Sequence, residues 1–149
     1  MIEINNLTTL PIKEEFLKEV AEKVLKGEGM IEVSQQRNNG LSIALLGSGR
    51  TRQINKKYRK KNRVTDVLTF PESKKGPLQR TKGLGEIVIC PREVKKNSKR
   101  FGTPFEKELS RVLIHGILHL LGYDHEENFQ KAKEMEKKQN YYLRLINKS

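Results

Sequence analysis

Apolar positions recur along this chain with two different periods. Short apolar or alternating runs at residues 2–5 and 30–35, at Leu41–Leu46, at Val67–Phe70 and at Glu86–Cys90 predict strands. Between the first two lies a segment from about Ile12 to Lys26 in which Phe16, Val20 and Val24 recur at helical spacing. A basic helix is expected after Leu41–Leu46, with Ser48 as its cap and Ile54 and Tyr58 on one face. Another starts at Pro91, whose ring suits a first helical turn. Phe105, Leu109, Val112, Leu113, Gly116 and Leu120 mark the buried face of the next helix. A last one runs from roughly Glu126 to Ile146 and is expected to bury Phe129, Ala132, Met135, Tyr142 and Leu143. The Gly-, Pro- and Lys-rich stretch from Pro71 to Gly85 reads as a mobile surface loop. Strands alternating with helices in this order predict an α/β chain of the α+β type: one compact domain over residues 1–149, a small mixed sheet packed with several helices.

Length and composition agree with that reading. A chain of 149 residues can bury a core of its own, so a metal is not needed as a folding staple. The single cysteine, Cys90, excludes an internal disulfide framework and, within an apolar run, reads as a small core residue rather than a metal ligand. The first residues carry acids and no apolar signal region, and no run approaches the length of a membrane span, so a cytoplasmic protein without membrane association is expected.

Charge narrows the partners. Thirty Lys and Arg against eighteen acids leave a net charge of +12, which favours polyanions. The excess concentrates between Arg50 and Arg63, where eight cations stand with no acid. A surface adapted to heat by ion-pair networks would balance its charges, which this segment does not. Lys56, Lys57, Lys60 and Arg63 are therefore candidate contacts to phosphate, and the scarcity of aromatics besides Tyr58 argues for the nucleic-acid backbone rather than stacked bases.

The sharpest chemical signal is the run HGILHLLGYDH, which holds every histidine of the chain: His115, His119 and His125. Residues four apart on a helix share a face, so His115 and His119 can aim two imidazoles at one point. Gly122 can take the left-handed conformation that ends a helix and turns the chain, letting His125 return as a third ligand. Three nitrogens leave one position open on a tetrahedral zinc, the arrangement of catalytic sites, with one zinc per chain. Asp124 can support a ligand imidazole or satisfy backbone donors in the turn, and both roles stay open.

The same ligand spacing serves metzincin peptidases, but those enzymes need Glu immediately after the first histidine as a base. Here that position is Gly116, which disfavours peptidase chemistry in that form. A phosphodiester substrate fits better, because its transition state gathers charge that metal and arginine stabilise. Arg59, one turn beyond Asn55 on the basic helix, offers the planar fork of donors that suits phosphate. Two alternatives stay open: a zinc hydrolase of another substrate class, and a nonenzymatic RNA-binding assembly factor with a structural zinc.

Together with NKKYRKKNRVTDVLTFP (Asn55 to Pro71) and GEIVIC (Gly85 to Cys90), the histidine run resembles the YbeY family of bacterial endoribonucleases. The first forty and last twenty residues match it only in general character. The resemblance implies a zincin-like histidine helix with zinc on His115, His119 and His125, and a catalytic or RNA-positioning role for Arg59. It also implies a single-strand-preferring endoribonuclease acting on ribosomal RNA precursors, especially at the 3′ end of 16S ribosomal RNA, and in ribosome quality control. Its partners would then be the small ribosomal subunit and associated factors, including a GTPase, with no DNA expected. Two features differ from the family pattern: Glu86 stands where Asp is common, and the Pro71 to Gly85 loop is strongly basic.

Overall fold

The computed structural model describes residues 2–30, 40–72, 83–123 and 128–147. In chain order they form β1 (Ile2–Asn6), α1 (Glu14–Gly27), β2 (Gly40–Leu45), α2 (Ser48–Arg59), β3 (Val67–Pro71), β4 (Gly83–Ile89), α3 (Pro91–Phe101), α4 (Phe105–Leu120) and α5 (Phe129–Asn147). The sheet order is β1-β2-β4-β3. The first three of these run parallel, with Ile4 beside Ile43 and Ile43 beside Ile87. β3 closes one side antiparallel, with Thr69 beside Ile87. The sheet is thus mixed, as the strand and helix pattern predicts.

Side chains alternate across a strand, and here both faces are covered. Leu41, Ile43, Leu45, Ile87 and Ile89 join Leu17, Val20, Val24, Val94 and the apolar residues of α4 and α5 in the main core. On the other face Ala44, Leu46, Leu68, Phe70 and Val88 pack with Ile54 and Tyr58 of α2. Each fully buried Leu or Ile contributes about 2 kcal/mol, so the sheet is held mainly by its two apolar faces.

Helix α4 is the pivot of the molecule. It packs against α1, α3, α5, β3 and β4. Its burial is accordingly wider than the single face expected from periodicity, since Ile114, Ile117 and Leu118 are buried as well. Gly116 lets the helix approach the sheet closely: a Cβ there would stand 3.3 Å from the Ile87 side chain and 3.4 Å from that of Thr69. The helix ends as the sequence predicts. Gly122 has φ +100°, its N–H reaches the His119 carbonyl at 3.0 Å, and the Tyr123 N–H reaches that of Leu118 at 3.0 Å, the paired bonds of a Schellman turn.

Several expectations need correction. Ser48 does not cap α2: Gly47 occupies the cap position, and the Ser48 hydroxyl instead lies 3.8 Å from the Cys90 sulfur. Phe129 is 75 % exposed, and burial on α5 begins only at Met135, because its first turns extend past the part packed on α4. Ala132 and Leu143 are half-buried. The Pro71 to Gly85 connection is shorter than expected, since Pro71 belongs to β3 and Gly83–Gly85 to β4, where the parallel register extends the strand. Residues 73–82 of that segment, and 31–35 of the strand expected at 30–35, lie outside the described residues. No helix of the described residues is long and apolar enough to cross a membrane.

Candidate functional site

Four pieces of chain meet at one cleft of about 470 Å³: the end of α2, the segment leading into β3, β3 itself and the outer side of α4. Its lining includes Asn55, Arg59, Lys61, Arg63, Asp66, Thr69, His115 and His119. Arg59 and the two histidines are more than fifty residues apart in sequence, and the antiparallel placement of β3 beside β4, under α4, brings them to the same hollow.

The end of α2 explains where Arg59 stands. Lys60 takes the left-handed conformation, φ 58°, and its N–H bonds the Lys56 carbonyl at 3.1 Å, so the helix stops directly after Arg59. Buried Asn55 donates to the Arg63 carbonyl at 2.9 Å and fixes the turn that follows. The Arg59 guanidinium donates to the Thr69 backbone carbonyl and lies over the Phe70 ring, 5.4 Å from its centroid. Phe70 is in turn met edge-on by Tyr58 at 5.4 Å. A cation on an aromatic face with one hydrogen bond spent on the backbone is held in place while its other donors face solvent.

Across the cleft, His115 and His119 occupy successive turns of α4 with ring centroids 4.7 Å apart. Both are half-buried on the wall of the cleft. The His115 Nδ1 lies 2.9 Å from Oε1 of Gln139 on α5. His125 and Asp124 lie outside the described residues, and among those described no group of three metal-ligating side chains assembles.

The cleft therefore unites Arg59, Arg63, His115 and His119 of the residues singled out from sequence, and leaves Lys56, Lys57 and Lys60 off its lining, exposed around the end of α2. A helix shows its residues to all sides, so an acid-free run cannot by itself tell which cations face a site. Lys61, Thr65, Asp66 and Thr69 also line the cleft, and proximity to the predicted motifs was the one sequence signal for them. Nothing in the local pattern pointed to Gln139.

Behind the histidine turn stands a second polar cluster. The Glu28 carboxylate at the end of α1, 9 % exposed, accepts hydrogen bonds from Tyr123 at 2.6 Å, from Lys138 at 3.1 Å and from Tyr142. It ties α1 and α5 to the residue that follows Gly122. Burial works against its charge, but the bonds from Tyr123, Tyr142 and Lys138, with the lysine's charge, outweigh it and hold its pKa below the ordinary 4.5. Burial, then the bond to Glu28 and its charge, push the Tyr123 hydroxyl up to about 12, and Tyr142 rises for the same reasons.

A carboxyl group depressed on folding stabilises the fold above its unfolded pKa, and that contribution fades as pH falls through the lower folded value. The raised tyrosines act at the other end: their contribution is whole below about pH 10 and is lost as pH climbs toward 12. Replacing Glu28→Ala is expected to cost about 3 kcal/mol at neutral pH, by leaving two tyrosine hydroxyls and an ammonium without their acceptor. In urea unfolding at a series of pH values the gap from the parent should narrow below pH 4.5. A gap that stays constant down to pH 3 would show that the charge of Glu28 contributes nothing.

The model of the family described as Endoribonuclease YbeY matches residues 3–147. A protein named Endoribonuclease YbeY from Thermotoga maritima is 41 % identical over 133 residues, 89 % of this chain and 79 % of that one. Its namesake from Persephonella marina is 40 % identical over 124 residues, 83 % and 77 % of the two chains. That from Aquifex aeolicus is 33 % identical over 138 residues, 93 % and 87 %. The solution structure of a Thermotoga maritima protein superimposes with a TM-score of 0.66 at 34 % identity, covering 98 % of this chain and 89 % of the other. Fold, motifs and relatives agree, and the chain belongs to the YbeY endoribonuclease family.

Proposed function

We propose that this protein is a zinc-dependent endoribonuclease that prefers single strands and matures ribosomal RNA in the cytoplasm, at the 3′ end of 16S ribosomal RNA, with a further part in ribosome quality control beside the small subunit. One domain over residues 1–149 carries the activity. The observation that supports this most is the shared cleft, with two imidazoles on one wall and Arg59 and Arg63 on the other.

The donor set suits zinc. Two neutral nitrogen ligands come from adjacent helical turns, and the hydrogen bond on His115 Nδ1 leaves Nε2 as the coordinating atom. His125, two residues beyond Tyr123, completes the set in this reading. Zinc, when bound, supplies Lewis acidity at the scissile phosphate. Arg59 holds a nonbridging oxygen and stabilises the charge that gathers there in the transition state. Arg63 and Lys61 draw the strand into the cleft, while Lys56, Lys57 and Lys60 engage phosphates outside it, so affinity falls with salt. Single strands are preferred in this reading because an unpaired strand can bend into the cleft lined by α4 and β3, which a stiff duplex resists.

Chelation and readdition of zinc on a defined ribosomal RNA precursor tests the reading, with Arg59→Glu alongside. The variant should keep its metal and lose cleavage at least about a hundredfold. Normal cleavage by a metal-loaded Arg59→Glu protein would remove the arginine from the reaction, and cleavage indifferent to chelation would remove the metal.

A further inference from the structure

Helix α5 buries one stripe, at Met135, Tyr142 and Ile146. Position 139 belongs to that stripe, four residues after Met135 and three before Tyr142, yet it carries Gln. A polar residue on a core-facing helix stripe forfeits apolar burial and must spend its amide on a partner. Here the partner is known: Gln139 Oε1 stands 2.9 Å from His115 Nδ1, joining α5 to α4 across 24 residues of sequence.

An amide oxygen accepts and cannot donate, so the ring nitrogen facing it carries the proton. In the neutral imidazole the lone pair then sits on Nε2. We propose that Gln139 is a positioning residue, which holds His115 in the Nδ1–H form and sets its ring plane so that Nε2 is presented to the metal. The proposal rests on the metal reading of the cleft, and it makes α5 part of the site although no residue of that helix lines it. A ligand histidine anchored this way meets the metal without first choosing a tautomer or a rotamer. A carboxylate acceptor would add charge and bind the metal more tightly, whereas the neutral amide sets orientation alone.

Two substitutions separate orientation from packing. Gln139→Leu keeps the volume and suits the apolar stripe, so the zinc-free protein should stay folded with at most a small loss of stability, from the stranded Nδ1–H of the half-buried His115. Its zinc affinity, measured by competition with a chromophoric chelator, should be weaker by about 10- to 100-fold. Gln139→Glu restores an acceptor in the same place and should bind zinc as tightly as the parent or more so. The parent protein supplies a second reading without any variant: in long-range proton–nitrogen spectra of the zinc-free chain, His115 should show a protonated Nδ1 and a bare Nε2. That signature should be lost in Gln139→Leu. Unchanged zinc affinity and an unchanged His115 signature in a folded Gln139→Leu protein overturn the proposal. If the parent itself takes up no zinc, the metal reading fails, and the nitrogen spectra alone then decide whether Gln139 sets the His115 tautomer.

Discussion

His119→Ala protein is expected to purify folded and without zinc, and to lose RNA cleavage at least about a hundredfold while still binding RNA. The reasons lie in the position of the residue. His119 is half-buried at the cleft wall rather than in the core, so its truncation removes few packing contacts, and the thermal midpoint of the metal-free forms should differ little. In the function proposed above, RNA is held by Arg59, Lys61, Arg63 and the exposed lysines, none of which the substitution touches. Zinc content by elemental analysis, filter binding and single-turnover cleavage on the same preparations measure the three quantities separately. Zinc at parental stoichiometry in this variant would sink the ligand assignment. A parent that binds RNA equally well with and without metal, and cleaves none, would favour the assembly factor with structural zinc over the enzyme.

Gly116→Glu carries the largest expected cost in stability. This is the position at which a peptidase with the same histidine spacing has its base. In this fold the helix touches the sheet there: a first carbon alone would stand 3.3 Å from Ile87 and 3.4 Å from Thr69, and a carboxylate would follow it into buried surroundings. Overpacking and an unpaired buried charge together are expected to cost about 4 kcal/mol, a fall in thermal midpoint of roughly 10 °C for a chain of this size. Gly116→Ala should lie within about 1 kcal/mol of the parent, since the tips of Ile87 and Thr69 can give by a few tenths of an ångström and alanine favours the helix. Scanning calorimetry of the two variants checks both values. A stable Gly116→Glu protein that gains protein-cleaving activity would mean that glycine here reflects chemistry rather than packing.

The histidine helix and its end were legible, because helical periodicity, the four-residue spacing of His115 and His119 and the turn at Gly122 are all local. Gly47 and Ser48 both suit a cap by type, and the choice of Gly47 depends on how β2 hands the chain to α2. Phe129 is exposed because periodicity continues along α5 past the point where a packing partner ends. Gln139 and Glu28 were not legible at all. Glu28 meets Tyr123, Lys138 and Tyr142 across about a hundred residues, and nothing in the neighbourhood of a glutamate announces such partners.

What the sequence determined by itself is everything that a few consecutive residues decide through backbone hydrogen bonding and side-chain period: the strands and helices, the basic run, the paired histidines and the glycine behind them. What the tertiary structure alone decided is which of those pieces face each other. Placing β3 antiparallel on the outside of β4, with α4 packed beneath, joined Arg59 and Arg63 to the histidines and left Lys56, Lys57 and Lys60 outside. Apolar burial is non-directional. It drives the sheet and helices together from either side, and only the complete set of strand registers and close contacts, such as Gly116 on Ile87, selects one arrangement.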